Sequence, residues 1–145
     1  MRFIKLLLFI FICTASIVAA DAQTANKRAA QKQNATPKCL SYEPEKASLR
    51  GQLLRKSVVN ASNQKETVWT IKLDAPVCVK ADAGNEFNVA VERLTDVQLV
   101  LSSEQFEKYR ANLNRKIEAG GTLFGAHTQH HFTKVLMIVE EIKAR

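Results

Sequence analysis

The sequence predicts an all-β fold: an OB-like five-stranded barrel with one short helix between strands 3 and 4. Three observations point there. Several segments alternate apolar and polar residues, the period of two that half-buried strands show. One segment after the third strand switches to helical spacing, and two more β-like segments follow it. Strand, strand, strand, helix, strand, strand is the element order of an OB-fold, with a six-stranded SH3-like barrel carrying an inserted helix as the next choice.

"ASLRGQLLRKSVV" (Ala47 to Val59) reads as the first strand, and its interior Gly51 marks a bulge or a close backbone approach. "NASNQKE" reads as a loop. In "TVWTIKL" (Thr67 to Leu73), Trp69, Ile71 and Leu73 share one face while Thr70 and Lys72 take the other. Trp69 is therefore expected in the core rather than as a stacking platform. Asp74 to Pro76 should turn or kink the chain before "VCVK" continues the strand. "ADAGNEFN" is a loop, and "VERLTDVQLVL" is the third strand, densest at Val97, Leu99 and Leu101.

The helix is expected in "SSEQFEKYRANL". Ser102 stands three residues before Gln105, the spacing of a capping box. Phe106, Tyr109 and Leu113 form one apolar stripe, and Glu104 with Lys108 adds an i,i+4 ion pair. "KIEAGGTLFGAH" and "HFTKVLMIVEEI" are the last two strands, joined near the histidines, with a charged tail behind them.

The start of the chain predicts where the protein works. Arg2 and Lys5 precede an apolar run from Leu6 to Val18, and Ala20 and Ala22 stand at the spacing that signal peptidase recognises before Gln23. The run is shorter than the roughly 20 residues of a spanning helix, so residues 1–22 read as a signal peptide and no membrane span is expected after its removal. Phe11 and Ile12 are too bulky for a lipobox at Cys13. Residues 23–37, polar and alanine-rich, cannot bury enough surface to offset their ordering entropy and read as a disordered linker. Residues 38–145 suit one small domain.

Of the three cysteines, Cys13 leaves with the signal, and the net charge of +7 falls to +6 as two basic residues and one acidic residue go with it. Cys39 and Cys78 remain. An exported chain with an even cysteine count reads as a disulfide, and closing a loop of about 40 residues would stabilise the fold by roughly 4 kcal/mol. A periplasmic or secreted bacterial protein, monomeric, is expected.

"CLSYEP" at 39–44, "LDAPVCV" at 73–79, "VQLVL" at 97–101 and "GTLFGAHTQHHFTKVL" at 121–136 resemble a family of small exported bacterial proteins, domain of unknown function 4431. The resemblance implies an exported single domain and pairs the same two cysteines. It implies no activity, since the family has none established. The family's last motif usually reads AHTGHHHTPVLL. His127, Thr128, His130, His131 and Thr133 match it, whereas Gln129 replaces the turn glycine, Phe132 a histidine and Lys134 the proline. Losing one histidine of four counts against carrying over a metal role.

All three histidines fall in "GAHTQHHFTKV" (Gly125 to Val135). If Thr128 and Gln129 form a two-residue hairpin loop, His127 and His130 lie opposite each other with Cβ atoms about 4.5–5.5 Å apart, and His131 points to the other face. Two imidazoles so placed would share a zinc or copper ion, though a closed site needs a further ligand that the sequence does not supply. Gln129 is a poor residue for a turn needing positive φ, so a longer loop is the alternative. The plainest expectation is that these histidines and threonines hydrogen-bond the loop backbone and one another.

Catalysis has little support. Ser102, Ser103 and Thr133 are available nucleophiles, but nothing ties one to a histidine with an orienting carboxylate. No Gly-x-Ser-x-Gly, phosphate loop or paired-carboxylate motif appears. The basic balance suits an anionic envelope polymer, lipid or acidic protein, while few aromatics and an export signal argue against nucleic acid. The expected function is a non-catalytic exported binding domain for a protein or envelope component. His127, Thr128, His130, His131 and Thr133 are its candidate contacts, and it carries no resident cofactor. A metal-binding protein using His127 and His130 is the first alternative, and an envelope hydrolase the second.

Overall fold

The computed structural model describes residues 39–145. The expected signal peptide and linker, at 1–22 and 23–37, lie outside the described residues. Five strands are seen among those described: β1 (Lys46–Val59), β2 (Lys65–Val79), β3 (Val91–Val100), β4 (Lys116–Gly125) and β5 (Val135–Ala144). Helix α1 (Ser103–Tyr109) and a 3-10 turn (Arg110–Asn112) connect β3 to β4. Hydrogen bonding runs β1-β2-β3-β5-β4 and back to β1, so the sheet closes into a barrel. Four of the five pairings are antiparallel, and β3 with β5 is parallel.

The alternation in the sequence becomes the inside and outside of this barrel. Leu53 faces Ile71 across β1 and β2, and Ile71 faces Val97 across β2 and β3, all three fully buried. On β4 the inward positions are Ile117, Ala119, Gly121, Leu123 and Gly125, every second residue. Each large aliphatic side chain buried here contributes roughly 1.5–3 kcal/mol relative to exposure. The core is one cluster drawn from all five strands, with Trp69 inside it.

Closing so small a barrel forces backbones together at two strand positions. A Cβ at Gly51 would stand 2.1 Å from Lys72 O, the close approach expected there. A Cβ at Gly121 would stand 2.0 Å from Ile138 O, beside the bulge that shifts β4 against β5. The Asp74–Pro76 segment stays within β2, but its register with β3 slips between Lys72 and Val77, the kink that the proline foretold.

The helix starts where the capping box puts it. Ser102 Oγ accepts from Gln105 N, and Gln105 Oε1 accepts from Ser102 N. Gln105 Nε2 then donates to Val139 O of β5, at 2.9 Å, so the cap residue also fastens the helix to the barrel. Phe106 meets Trp69 edge-to-face at 5.2 Å, and Tyr109 is buried. Cys39 and Cys78 form a disulfide, and Leu40 bridges to Val79 beside it. Among the described residues no helix is long and apolar enough to cross a membrane.

Candidate functional site

Nine residues, 126–134, separate β4 from β5. The two-residue hairpin at Thr128 and Gln129 is not formed, and the longer loop is. The reason lies at both ends. Gly125 N donates to Asn88 Oδ1 at 2.8 Å, a side chain from the β2–β3 loop that is itself buried. A Cβ on Gly125 would stand 1.8 Å from Phe87 O, so the β2–β3 loop sits on the last residue of β4. At the other end, Thr133 Oγ1 accepts from Gln98 N of β3 and donates to Val135 O. The β4–β5 ladder ends at the bond from Ala126 N to Lys134 O, and beyond it the loop is tied to β3.

Between those ends the loop lies against the outer face of the sheet. Gln98 sits between the inward residues Val97 and Leu99, so its side chain points outward, yet it is only 8% exposed. Its amide clasps the loop from below: Nε2 donates to His130 O at 3.0 Å, and Oε1 accepts from Phe132 N at 2.8 Å. Thr70 and Leu136, its register neighbours on β2 and β5, are buried as well. Thr70 Oγ1 has no hydrogen-bond partner among the described residues.

This path rearranges the histidines. His127 and His131 come together, ring centroids 4.6 Å apart and nearly perpendicular, whereas His130 turns to β2. The pairing of His127 with His130 expected from a tight hairpin is therefore corrected to His127 with His131. His127 Nδ1 lies 3.0 Å from Gly125 O; a carbonyl only accepts, so Nδ1 carries the proton and Nε2 the lone pair. His130 Nδ1 lies 2.7 Å from Glu66 Oε1, which assigns it the same tautomer. His131 is the opposite case. Its Nδ1 accepts from His127 N at 3.1 Å, so the neutral ring holds its proton on Nε2.

Charge state follows from these contacts. Desolvation holds the His131 pKa below the usual imidazole value, and the neighbouring His127 and His130 push it the same way. Protonation at Nδ1 would also set two N–H groups against each other. Burial and the two neighbouring rings thus both disfavour the charged form of His131.

Two further loops complete the surface. Phe87, 46% exposed, lies 5.5 Å from the His127 ring, and Phe124 stacks obliquely or edge-on against His127 and His131. The β1–β2 loop joins through Ser62 Oγ, which donates to Gln129 Oε1 at 3.2 Å. Asn60 builds that loop, accepting from Ser62 N and Gln64 N, while its amide holds Glu66 for His130. Thr128 serves the loop itself: its Oγ1 accepts from His130 N and its carbonyl from His131 N.

The five candidate residues are thus on one loop, but they do different work. His127 and His130 keep an unengaged Nε2 among the described residues, whereas the hydroxyl of Thr133 is saturated by backbone. Sequence reasoning missed Gln98, Asn88, Glu66, Phe87 and the role of Gly125. The one usable signal was a glutamine inside the apolar "VQLVL". Among the described residues no three metal-ligating side chains are grouped, and no hydroxyl is hydrogen-bonded to an imidazole nitrogen.

The fold and site define a small all-β barrel that presents a pinned imidazole-bearing loop beside its β1–β2 loop. Residues 96–143, from the middle of β3 through the histidine loop and most of β5, match the family described as Domain of unknown function (DUF4431). No curated protein and no solved structure matches the chain.

Proposed function

We propose that this protein is an exported, non-catalytic binding domain whose contact surface is the β4–β5 loop with the adjoining β1–β2 loop and Phe87. One observation carries the reading. His127 and His130 each spend Nδ1 on an internal acceptor, which fixes ring and tautomer and leaves an Nε2 lone pair without a partner among the described residues. A loop clasped by Gln98 and Thr133 loses little freedom when it is bound, and pre-organisation of this kind favours affinity. The disulfide supports export, because such bonds persist in oxidising compartments. The partner is an exported protein or envelope component. Envelope extract passed over the immobilised protein and over a His127→Ala, His130→Ala variant tests the reading. A component retained by the first and lost by the second supports it; identical retention profiles end it.

Metal binding is the second reading, and the same tautomers favour it. Ligating histidines usually give Nδ1–H to a carboxylate or carbonyl, as His130 and His127 do with Glu66 and Gly125. Calorimetric titration with zinc and copper decides it: uptake at micromolar metal that vanishes in the double variant supports the reading, and no uptake refutes it. For a hydrolase, a nucleophile beside His130 is what the site lacks among the described residues.

A further inference from the structure

A cleft of about 250 Å³ opens between β3 and the end of the histidine loop. Arg93, Thr95 and Asp96 line it from the strand, and Phe132, Thr133 and Lys134 from the loop. Arg93 and Lys134 are exposed, and among the described residues neither side chain has an ion-pair or hydrogen-bond partner. Asp96 is the one acid in the wall among the described residues, and it is already matched, with Lys56 Nζ at 3.5 Å and Thr95 Oγ1 at 3.3 Å. The cleft therefore holds two uncompensated cations. They are set around a space too large to be a simple ion site and smaller than the roughly 300–1,000 Å³ of pockets that enclose drug-sized ligands.

We propose that this cleft binds a carboxylate-bearing sugar residue of an acidic glycan. The inference rests on the binding reading of the same loop and names its ligand class. Arg93 and Lys134 would receive the carboxylate; a guanidinium takes one in a two-pronged geometry, and an ammonium adds a point charge. A bare aspartate or glutamate side chain is slim and would leave most of this space empty, whereas a carboxylate mounted on a ring fills it. The Phe132 ring offers an apolar wall to the C–H face of such a ring. The Asp96 carboxylate in the wall adds an acceptor that suits a hydroxyl donor. A polyhydroxylated acid matches that mixture of cations and an acceptor better than a polyanion without hydroxyls.

The test uses the purified, oxidised protein and three probes: trigalacturonate, the neutral galactotriose and triglutamate. Amide chemical shifts are followed by NMR through each titration. Saturable binding of trigalacturonate is expected, with shifts centred on Arg93, Thr95, Thr133 and Lys134. Affinity should fall at least about tenfold for galactotriose and for an Arg93→Gln, Lys134→Gln variant. The variant replaces two exposed side chains, and an unchanged urea midpoint confirms that its fold is intact. No saturation at millimolar trigalacturonate, equal binding of the neutral trimer, or indifference to the variant overturns the proposal. Triglutamate binding as tightly as trigalacturonate overturns it in favour of an acidic peptide. Retention of an envelope component that depends on His127 and His130 but not on Arg93 and Lys134 sinks the glycan inference and leaves the binding reading standing.

Discussion

Replacing Gln98 with methionine removes the clasp under the histidine loop while keeping the side chain's length. Two hydrogen bonds go, to His130 O and from Phe132 N. A neutral bond is worth about 1 kcal/mol net, and an amide left unpaired in a covered position adds roughly 1–3 kcal/mol. The expected loss is thus about 3–5 kcal/mol, a large share of the roughly 5–15 kcal/mol that holds a small domain. Urea unfolding measures the total, and native-state hydrogen exchange at the Phe132 amide locates it. Phe132 should exchange much faster in the variant, while β1 and β2 amides slow or quicken only with global stability. Gln98→Glu keeps the acceptor for Phe132 and loses the donor to His130, so it should protect that amide where methionine does not. A loss under about 0.5 kcal/mol with Phe132 exchange unchanged would show that the loop is held by something other than this amide.

Thr70→Val removes, at nearly constant volume, a buried hydroxyl that has no partner among the described residues, and should raise stability by about 1 kcal/mol in the same urea assay. Gly125→Ala places a methyl on the Phe87 carbonyl, so it should cost about 1–3 kcal/mol and broaden the His127 and Phe87 resonances. Replacing both Cys39 and Cys78 with alanine opens a loop of 39 residues' separation and should cost roughly 4 kcal/mol, read as a lowered thermal midpoint. His131 titrates below its unfolded value, so the unfolded chain takes up the proton first and stability falls as pH drops. Its contribution is complete above the unfolded value of about 6.5 and shrinks below it; His131→Asn, whose Oδ1 can accept from His127 N, should flatten that part of the pH profile.

Most of the barrel was legible because its causes are local. The alternation around Trp69 and Ile71, the Ser102–Gln105 box and the glycine at position 51 each dictate backbone geometry within a few residues of themselves. The site was legible only as a cluster of residue types. Its geometry depends on Asn88 and Gln98, 37 and 34 residues from the groups they hold, and on Glu66, which read as loop but stands second in β2 facing His130. A two-residue turn was the natural reading of "HTQH" taken alone. It fails because Gln98 and Thr133 tie the loop to β3 beyond the last β4–β5 backbone bond, contacts that no neighbouring residue announces.

The parallel pairing of β3 with β5 has a mechanical consequence. β3 and β5 share three register partners, Gln98 to Val100 against Leu136 to Ile138, whereas β4 and β5 share nine. The barrel therefore has a seam, and unzipping should start along it. The histidine loop is the stitch across that seam, since Gln98 and Thr133 belong to both. An occupant gripping the loop need touch no core residue to raise the melting temperature, because it would hold the stitch closed.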